Sequence, residues 1–308
     1  MTLQLALLAM ALAAPRVGAD AALRERVMTI VANSGAEVAV AFATLDGRDE
    51  MLLDPDKPFH AASTMKVPVM IELFRQARAA QLSLDDRLPI RNEFHSIVDG
   101  SVYQLDVSDD SDSEVYKAIG QTLPLRQLCE AMITVSSNFA ANLLIERLGV
   151  ENIKATVGRL GADGMHVLRG VEDNKAFEKG LNNTTTARGL LVLLQKIATG
   201  QAVNERADAE MVAILERQHF NNAIPAGLPS GIAVAHKTGN ITKIHHDAAI
   251  VFGPRPYVLV VLVRGLADEG HSAELIALIS REVRPPTTAA TARSFRTRRH
   301  RRLPAPRP

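Results

Sequence analysis

Strand-forming runs lie at both ends of this 308-residue chain, and everything between them reads as helix. Near the start, residues 37–45 and 51–53 alternate apolar residues around Asp46-Gly47, the pattern of a β-hairpin. Near the end, residues 232–237, 247–252 and 257–263 return to strand character, the last as an almost unbroken β-branched run. Short strands cannot stay stable alone, so the two groups must join into one sheet across the intervening chain. Residues 61–218 instead show helical spacing: Val67, Met70, Ile71 and Phe74 share a face, as do Leu125, Leu128 and Met132, and Leu190, Leu191, Leu194 and Ile197. Helices over 21–32 and 268–283 flank the strands. The expected body is therefore a mixed lobe of residues 20–60 and 219–284 with an α lobe, 61–218, inserted into it, and a cleft between them.

Composition narrows the function. Apolar residues at 47% and charged residues at 22% suit a folded globular body. Trp is absent and aromatics reach only 4%, which leaves little for base stacking and disfavours a nucleic-acid partner. The single cysteine, Cys129, cannot form an internal disulfide and sits among apolar neighbours as a packing residue. Residues 3–14 form an apolar run followed by Val17-Gly18-Ala19, so residues 1–19 read as a signal peptide and the protein as secreted or periplasmic. That run is too short to span a bilayer, and no other segment is long and apolar enough. Residues 285–308 hold seven arginines and no acid; with a formal net charge of +1 for the whole chain, the rest carries −6. This tail reads as a disordered basic extension with no assigned role.

Three motifs fall where a cleft would need them. In Ser63-Thr64-Met65-Lys66, at the start of the first α-lobe helix, the (i, i+3) spacing turns the Lys66 amine towards the Ser63 hydroxyl. A helix start also offers free N–H groups to a developing oxyanion. Pro68 just behind is a local conflict for that helix. Ser136-Ser137-Asn138 lies between two helical patterns, where Ser136 can relay a proton and Asn138 can orient a lysine; helix capping is the plainer reading. Lys237-Thr238-Gly239 closes the strand starting at Ile232; Lys237 and Thr238 can hold a substrate carboxylate, and Gly239 permits close backbone approach. His245-His246-Asp247 does not make a metal site, because neighbouring strand residues point to opposite faces. The Asp/Ser-rich residues 106–114 read as a surface loop.

Taken in order, the motifs resemble those of class A β-lactamases and penicillin-binding proteins. The likeness extends to His60-Ala-Ala-Ser-Thr-Met-Lys-Val-Pro-Val, Met132-Ile-Thr-Val-Ser-Ser-Asn-Phe-Ala-Ala-Asn-Leu-Leu, Asn183-Thr-Thr-Thr-Ala and His236-Lys-Thr-Gly. It implies an α/β (α+β) two-lobe fold of β-lactamase/transpeptidase type, an antiparallel sheet flanked by helices plus an all-α lobe. It also implies acyl transfer at Ser63, with an oxyanion hole from the N–H groups of Ser63 and Asn240. Glu172 falls nearest the deacylating glutamate of such enzymes, with Asp173 as a rival, and His246 falls where many relatives bind a substrate carboxylate. The implied substrate is a small β-lactam or a peptidoglycan peptide, handled by a monomer without metal or cofactor. A serine β-lactamase is the leading expectation, against a D-alanyl-D-alanine peptidase or a β-lactam-binding module without turnover.

The chain departs from that family in three places. Ser137 stands where the middle motif usually carries Asp, removing one buried carboxylate. Residues 92–120 are longer than the family's equivalent and should reshape the cleft rim. Asn183 stands where an Asp would pair with Arg169, and Glu172 lies about two residues closer than usual to the Asn183-Thr184-Thr185-Thr186 anchor, so its loop must be tighter.

Overall fold

The computed structural model describes residues 17–285; the signal segment expected over 1–19 lies almost wholly outside them, as does the basic tail after Pro285. Its centre is one antiparallel five-stranded sheet: β1 (Glu37–Thr44), β2 (Glu50–Leu53), β3 (Val234–Ile241), β4 (Ile244–Val251) and β5 (Tyr257–Arg264), in the order β2-β1-β5-β4-β3. Strands from the two chain ends meet at its middle, where Val40 lies opposite Val261.

Both faces of the sheet are covered, which explains the unbroken apolar run of β5 in an antiparallel setting. On the outer face Val38, Val40, Phe42, Leu259, Val261 and Val263 pack beneath α1 (Val17–Ser34) and α9 (Glu269–Val283). On the inner face β1 presents only Ala39, Ala41 and Ala43. These small side chains let α7 (Ala187–Ala198) lie close against β1, β4 and β5. Helix α7 falls inside the span read as the α lobe, yet it packs on the sheet as well as on α5 (Val150–Leu160) and α8 (Glu205–Leu215), and so ties the two lobes together.

The α lobe is arranged around α2 (Lys66–Arg78), buried on nearly every side by α3 (Leu125–Thr134), α4 (Asn138–Leu148), α5 and α8. Such a helix can only be a core helix. The short α6 (Asn174–Glu178) follows the Glu172 loop. Among the described residues no helix is long and apolar enough to cross a membrane.

Two local expectations change. Lys237-Thr238-Gly239 does not end its strand; β3 runs on to Ile241 and turns back through Thr242-Lys243 into β4. Lys243 takes the positive φ (58°) of that turn without the Gly or Asn that would have announced it. Pro68 is no conflict either: it falls in the first turn of α2, where a missing N–H leaves no helical bond unmade.

Candidate active site

Ser63 sits on a 3-10 turn, Ala62–Met65, that runs straight into α2. The turn is held from both sides: the Thr64 hydroxyl donates to Ala61 O at 2.6 Å, and Ala61 N donates to Asn183 O at 2.8 Å. Ala62 is forced to a φ of 44°, a left-handed conformation that costs an alanine about 1–2 kcal/mol. Ser136 (φ 62°) and Glu172 (φ 61°) carry the same strain, so three strained non-glycine residues belong to or adjoin the sequence-predicted set. The edge strand β3 presses on this turn. A Cβ on Gly239 would lie 3.1 Å from Thr64 Cγ2, 3.2 Å from Ala62 Cβ and 3.2 Å from the Ser63 nitrogen, so this approach requires glycine.

Two fully buried lysines converge on Ser136. Lys66 Nζ donates to Ser136 O (2.6 Å), Ser136 Oγ (3.3 Å) and Asn138 Oδ1 (2.8 Å). Lys237 Nζ donates to the same Ser136 Oγ (2.9 Å) and to Thr238 O (2.9 Å). The expected contact from Lys66 to Ser63 is not among these; the hydroxyl shared by the lysines is that of Ser136. Burial pushes the Lys66 amine down to about 7, against the opposing pull of the Asp110 and Glu172 carboxylates. Burial, and then the charge of Lys66, holds Lys237 well below the ordinary lysine range. A neutral amine at physiological pH is thus within reach of this site.

Asn138, the first residue of α4, is the second hub. While Oδ1 accepts from Lys66, Nδ2 donates to Glu172 Oε1 at 2.7 Å, so one amide holds the amine and the carboxylate together. The loop therefore brings Glu172 to Asn138. Burial raises the Glu172 carboxyl, the Asn138 bond opposes this, and Asp110, Asp109 and Lys66 add smaller contributions of both signs. Asn142, one turn further along α4, pins the loop: Oδ1 accepts from Val171 N (2.7 Å) and Nδ2 donates to Val171 O (3.0 Å). Gly170 fits against it so closely that a Cβ would fall 2.6 Å from Asn142 Oδ1. In sequence Asn142 appears only inside the family-like run from Met132, four residues after Asn138, with no role attached to it.

The rival Asp173 is engaged elsewhere, accepting from Ser96 Oγ (2.8 Å), Ile97 N (3.0 Å) and, as the cap of α6, Ala176 N (3.1 Å). Arg169 does without a carboxylate partner in direct contact, donating to Leu181 O, Gly170 O and Asn182 Oδ1. Asn183 completes that link through an amide that accepts from Leu168 N and Arg169 N and donates to Arg169 O.

His246 departs from its expected role. It is fully buried, its Nε2 lies 2.9 Å from His60 O and its Nδ1 accepts from Val263 N, leaving neither ring nitrogen for a substrate. Burial lowers it to about 4, so it stays neutral and cannot serve as a cation at neutral pH. Of the remaining β3 residues, Thr238 is buried beside Lys237 and Asn240 is exposed next to Gly239. The surface-loop reading of residues 106–114 also fails at Asp112, which is buried, and at Asp110. Asp110 reaches inward, and both its oxygens accept from backbone N–H groups at the start of α4, Asn138 N at 2.9 Å and Phe139 N at 2.8 Å. Among the described residues no group of three His, Cys, Asp or Glu is placed to hold a metal ion.

Comparison with known proteins agrees with this geometry. A family model described as the β-lactamase enzyme family matches residues 22–284. The chain is 29% identical over 175 residues to a β-lactamase of Bacillus licheniformis, an alignment covering 52% of this chain and 55% of that one, so it spans about half the relative's length. Among solved structures, an ancestral class A β-lactamase superposes with a TM-score of 0.73 at 25% identity, covering 85% of this chain and 98% of its own. A PBP-A variant captured as an acyl-enzyme with penicillin G gives 0.74 at 26% identity, covering 85% and 95%. With the sheet and the helical lobe in common with what the sequence led us to expect, the chain belongs to the β-lactamase enzyme family, within the serine β-lactamase and penicillin-binding-protein superfamily.

Proposed function

We propose that this protein is a serine β-lactamase, opening the β-lactam ring through an ester on Ser63 and then hydrolysing that ester. The observation that carries this reading is the pair of hubs: Ser136 joins Lys66 to Lys237, and Asn138 joins Lys66 to Glu172. Ser63 Oγ attacks the lactam carbonyl, whose oxygen takes its charge against the N–H groups of Ser63 and Asn240. The Ser63 proton passes to the neutral Lys66 amine. Ser136, fed by the two lysines, delivers a proton to the departing ring nitrogen. Lys237 and Thr238 hold the substrate carboxylate, and Glu172 takes the proton of the water that attacks the ester. We further place the protein outside the cytoplasm, as a monomer, where it confers resistance by destroying β-lactams.

Intact-mass spectrometry during incubation with a penicillin tests this. A short-lived adduct of one penicillin mass, with product accumulating over many turnovers, is the expected result. The likeness to a penicillin-bound PBP-A favours one alternative, a penicillin-binding peptidase. A lasting adduct together with cleavage of a D-alanyl-D-alanine peptide would replace our reading with it.

The close approach at Gly239 gives a second expectation. Gly239→Ala should slow acylation about tenfold, since the neighbours must yield by a few tenths of an ångström and catalysis is sensitive to such shifts. Stability should fall by about 1–3 kcal/mol, the usual cost of adding a methyl to a well-packed contact. Time-resolved mass spectra and thermal melting check both, and an unaltered acylation rate would contradict the constraint.

A further inference from the structure

Asp110 belongs to the segment over 92–120, the longest departure from the family pattern, and it touches no residue of the motifs in sequence. Its carboxylate nonetheless accepts from Asn138 N (2.9 Å), Phe139 N (2.8 Å) and the Tyr116 hydroxyl (3.1 Å), with the Ser137 hydroxyl at 3.5 Å. The first N–H groups of a helix have no partner within it, and the helix dipole favours negative charge there. In α4 this cap is divided. Ser137 accepts from Ala140 N at 3.2 Å, as a capping serine should, while the first two N–H groups go to a carboxylate carried in from another segment. The residue whose orientation this sets is Asn138, the amide that holds Lys66 and Glu172.

The same segment grips the other side of the site. Ser96 and Ile97 bind the Asp173 carboxylate, the Tyr103 hydroxyl donates to Val171 O at 3.3 Å, and Lys175 reaches back to Asp99 and Ser101 at 2.7 Å each. One insertion therefore clamps both the loop carrying Glu172 and the helix start carrying Asn138.

We propose that Asp110 is a positioning residue of the active site, standing in from the 92–120 segment for the carboxylate that Ser137 does not provide. It sets Asn138 on Lys66 and Glu172, and it places a negative charge beside the Lys66 amine. The carboxylate function has moved from the motif itself to an insertion that reaches the same helix start.

A swap tests this. Asp110→Ala should cut the rate of acylation by a penicillin roughly 10²-fold, the scale of a small misplacement of reacting groups. Adding Ser137→Asp to that variant should restore the rate to within about tenfold of the wild type, because position 137 is buried 3.5 Å from where the lost carboxylate stood. Ser137→Asp alone should be slow, since two carboxylates would crowd one site. The idea rests on the serine-hydrolase reading, so one readout needs no substrate: titration of Lys66 by NMR of ε-13C-lysine. The charged groups facing that amine are Asp110, Glu172 and Lys237. Removing the Asp110 charge should move the Lys66 midpoint below its value of about 7, and the double variant should return it. A mere loosening of the fold would admit water and move it upwards instead. An unchanged midpoint in Asp110→Ala, or a double variant as slow or as unfolded as the single one, would overturn the proposal. A wild type that takes up no penicillin while its Lys66 follows these shifts would sink the enzymatic reading and leave the placement of Asp110 intact.

Discussion

Ser63→Ala is expected to abolish adduct formation with penicillins and to lower turnover by roughly 10⁴-fold or more, the loss seen when the nucleophile of a serine hydrolase is removed. The size of the effect follows from the lack of a substitute. Ser136 is the nearest candidate, but its hydroxyl already accepts from both Lys66 and Lys237, an arrangement suited to passing a proton rather than to attacking a carbonyl. The Gly239 approach also sets β3 directly against the Ser63 turn. Since Ser63 is partly exposed on a short turn, its replacement should leave the melting temperature within a few degrees. Peptide mapping of the wild-type adduct is the direct check: a label on Ser136 would remove Ser63 from the mechanism.

Glu172→Gln should separate the two halves of the reaction. Glutamine can still accept the Asn138 hydrogen bond, so the loop and Lys66 should stay in place and acylation should proceed. It cannot accept a proton from water, and deacylation should fall roughly 10²–10⁴-fold, the range for loss of a general base. The acyl-enzyme then becomes the dominant species in the mass spectrum. The wild-type pH profile carries the matching sign. Burial raises the Glu172 carboxyl, so deacylation fails on the acid side at a higher pH than an unshifted glutamate would give, once the group is protonated. Acylation has its own acid limb near 7, where Lys66 becomes protonated and loses its capacity as a base. Undiminished deacylation in Glu172→Gln would assign the water to another group, although Asp173, with three donors upon it, is poorly placed for that task.

What could be read from the sequence depended on whether the signal was local. The hairpin at Asp46-Gly47, the β-branched run of β5 and the helical faces of α2, α3 and α7 are periodicities within one element, and the structure contains all of them. Lys66, Ser136, Asn138, Glu172 and Lys237 are joined by hydrogen bonds, whereas Ser63 lies on its turn without the contact to Lys66 that the spacing suggested. Other features depended on partners distant in sequence. His246 looked available until the structure showed His60 O and Val263 N on its two nitrogens. Asp110 looked like one of several solvated acids, because only the folded chain brings residue 110 to the start of α4. The turn at Thr242-Lys243 was hidden because its strain falls on a lysine, the register with β4 supplying what local preference does not.

The order of strands in the sheet also sets a timetable for the chain. β1 lies beside the central strand β5, and Thr44 finds its partner in Tyr257. A ribosome adding about 5–20 residues per second needs roughly ten to forty seconds to cover that interval. Throughout it β1 has only the short β2 for company, with the row of backbone groups destined for β5 open to wrong partners. The helical lobe can gather in the meantime, since the contacts of α2 with α3, α4 and α5 span shorter stretches of chain. The sheet waits for the last strand, so a ribosome that stalls or a message that ends before residue 264 leaves an unclosed, aggregation-prone sheet with its central pairing unmade.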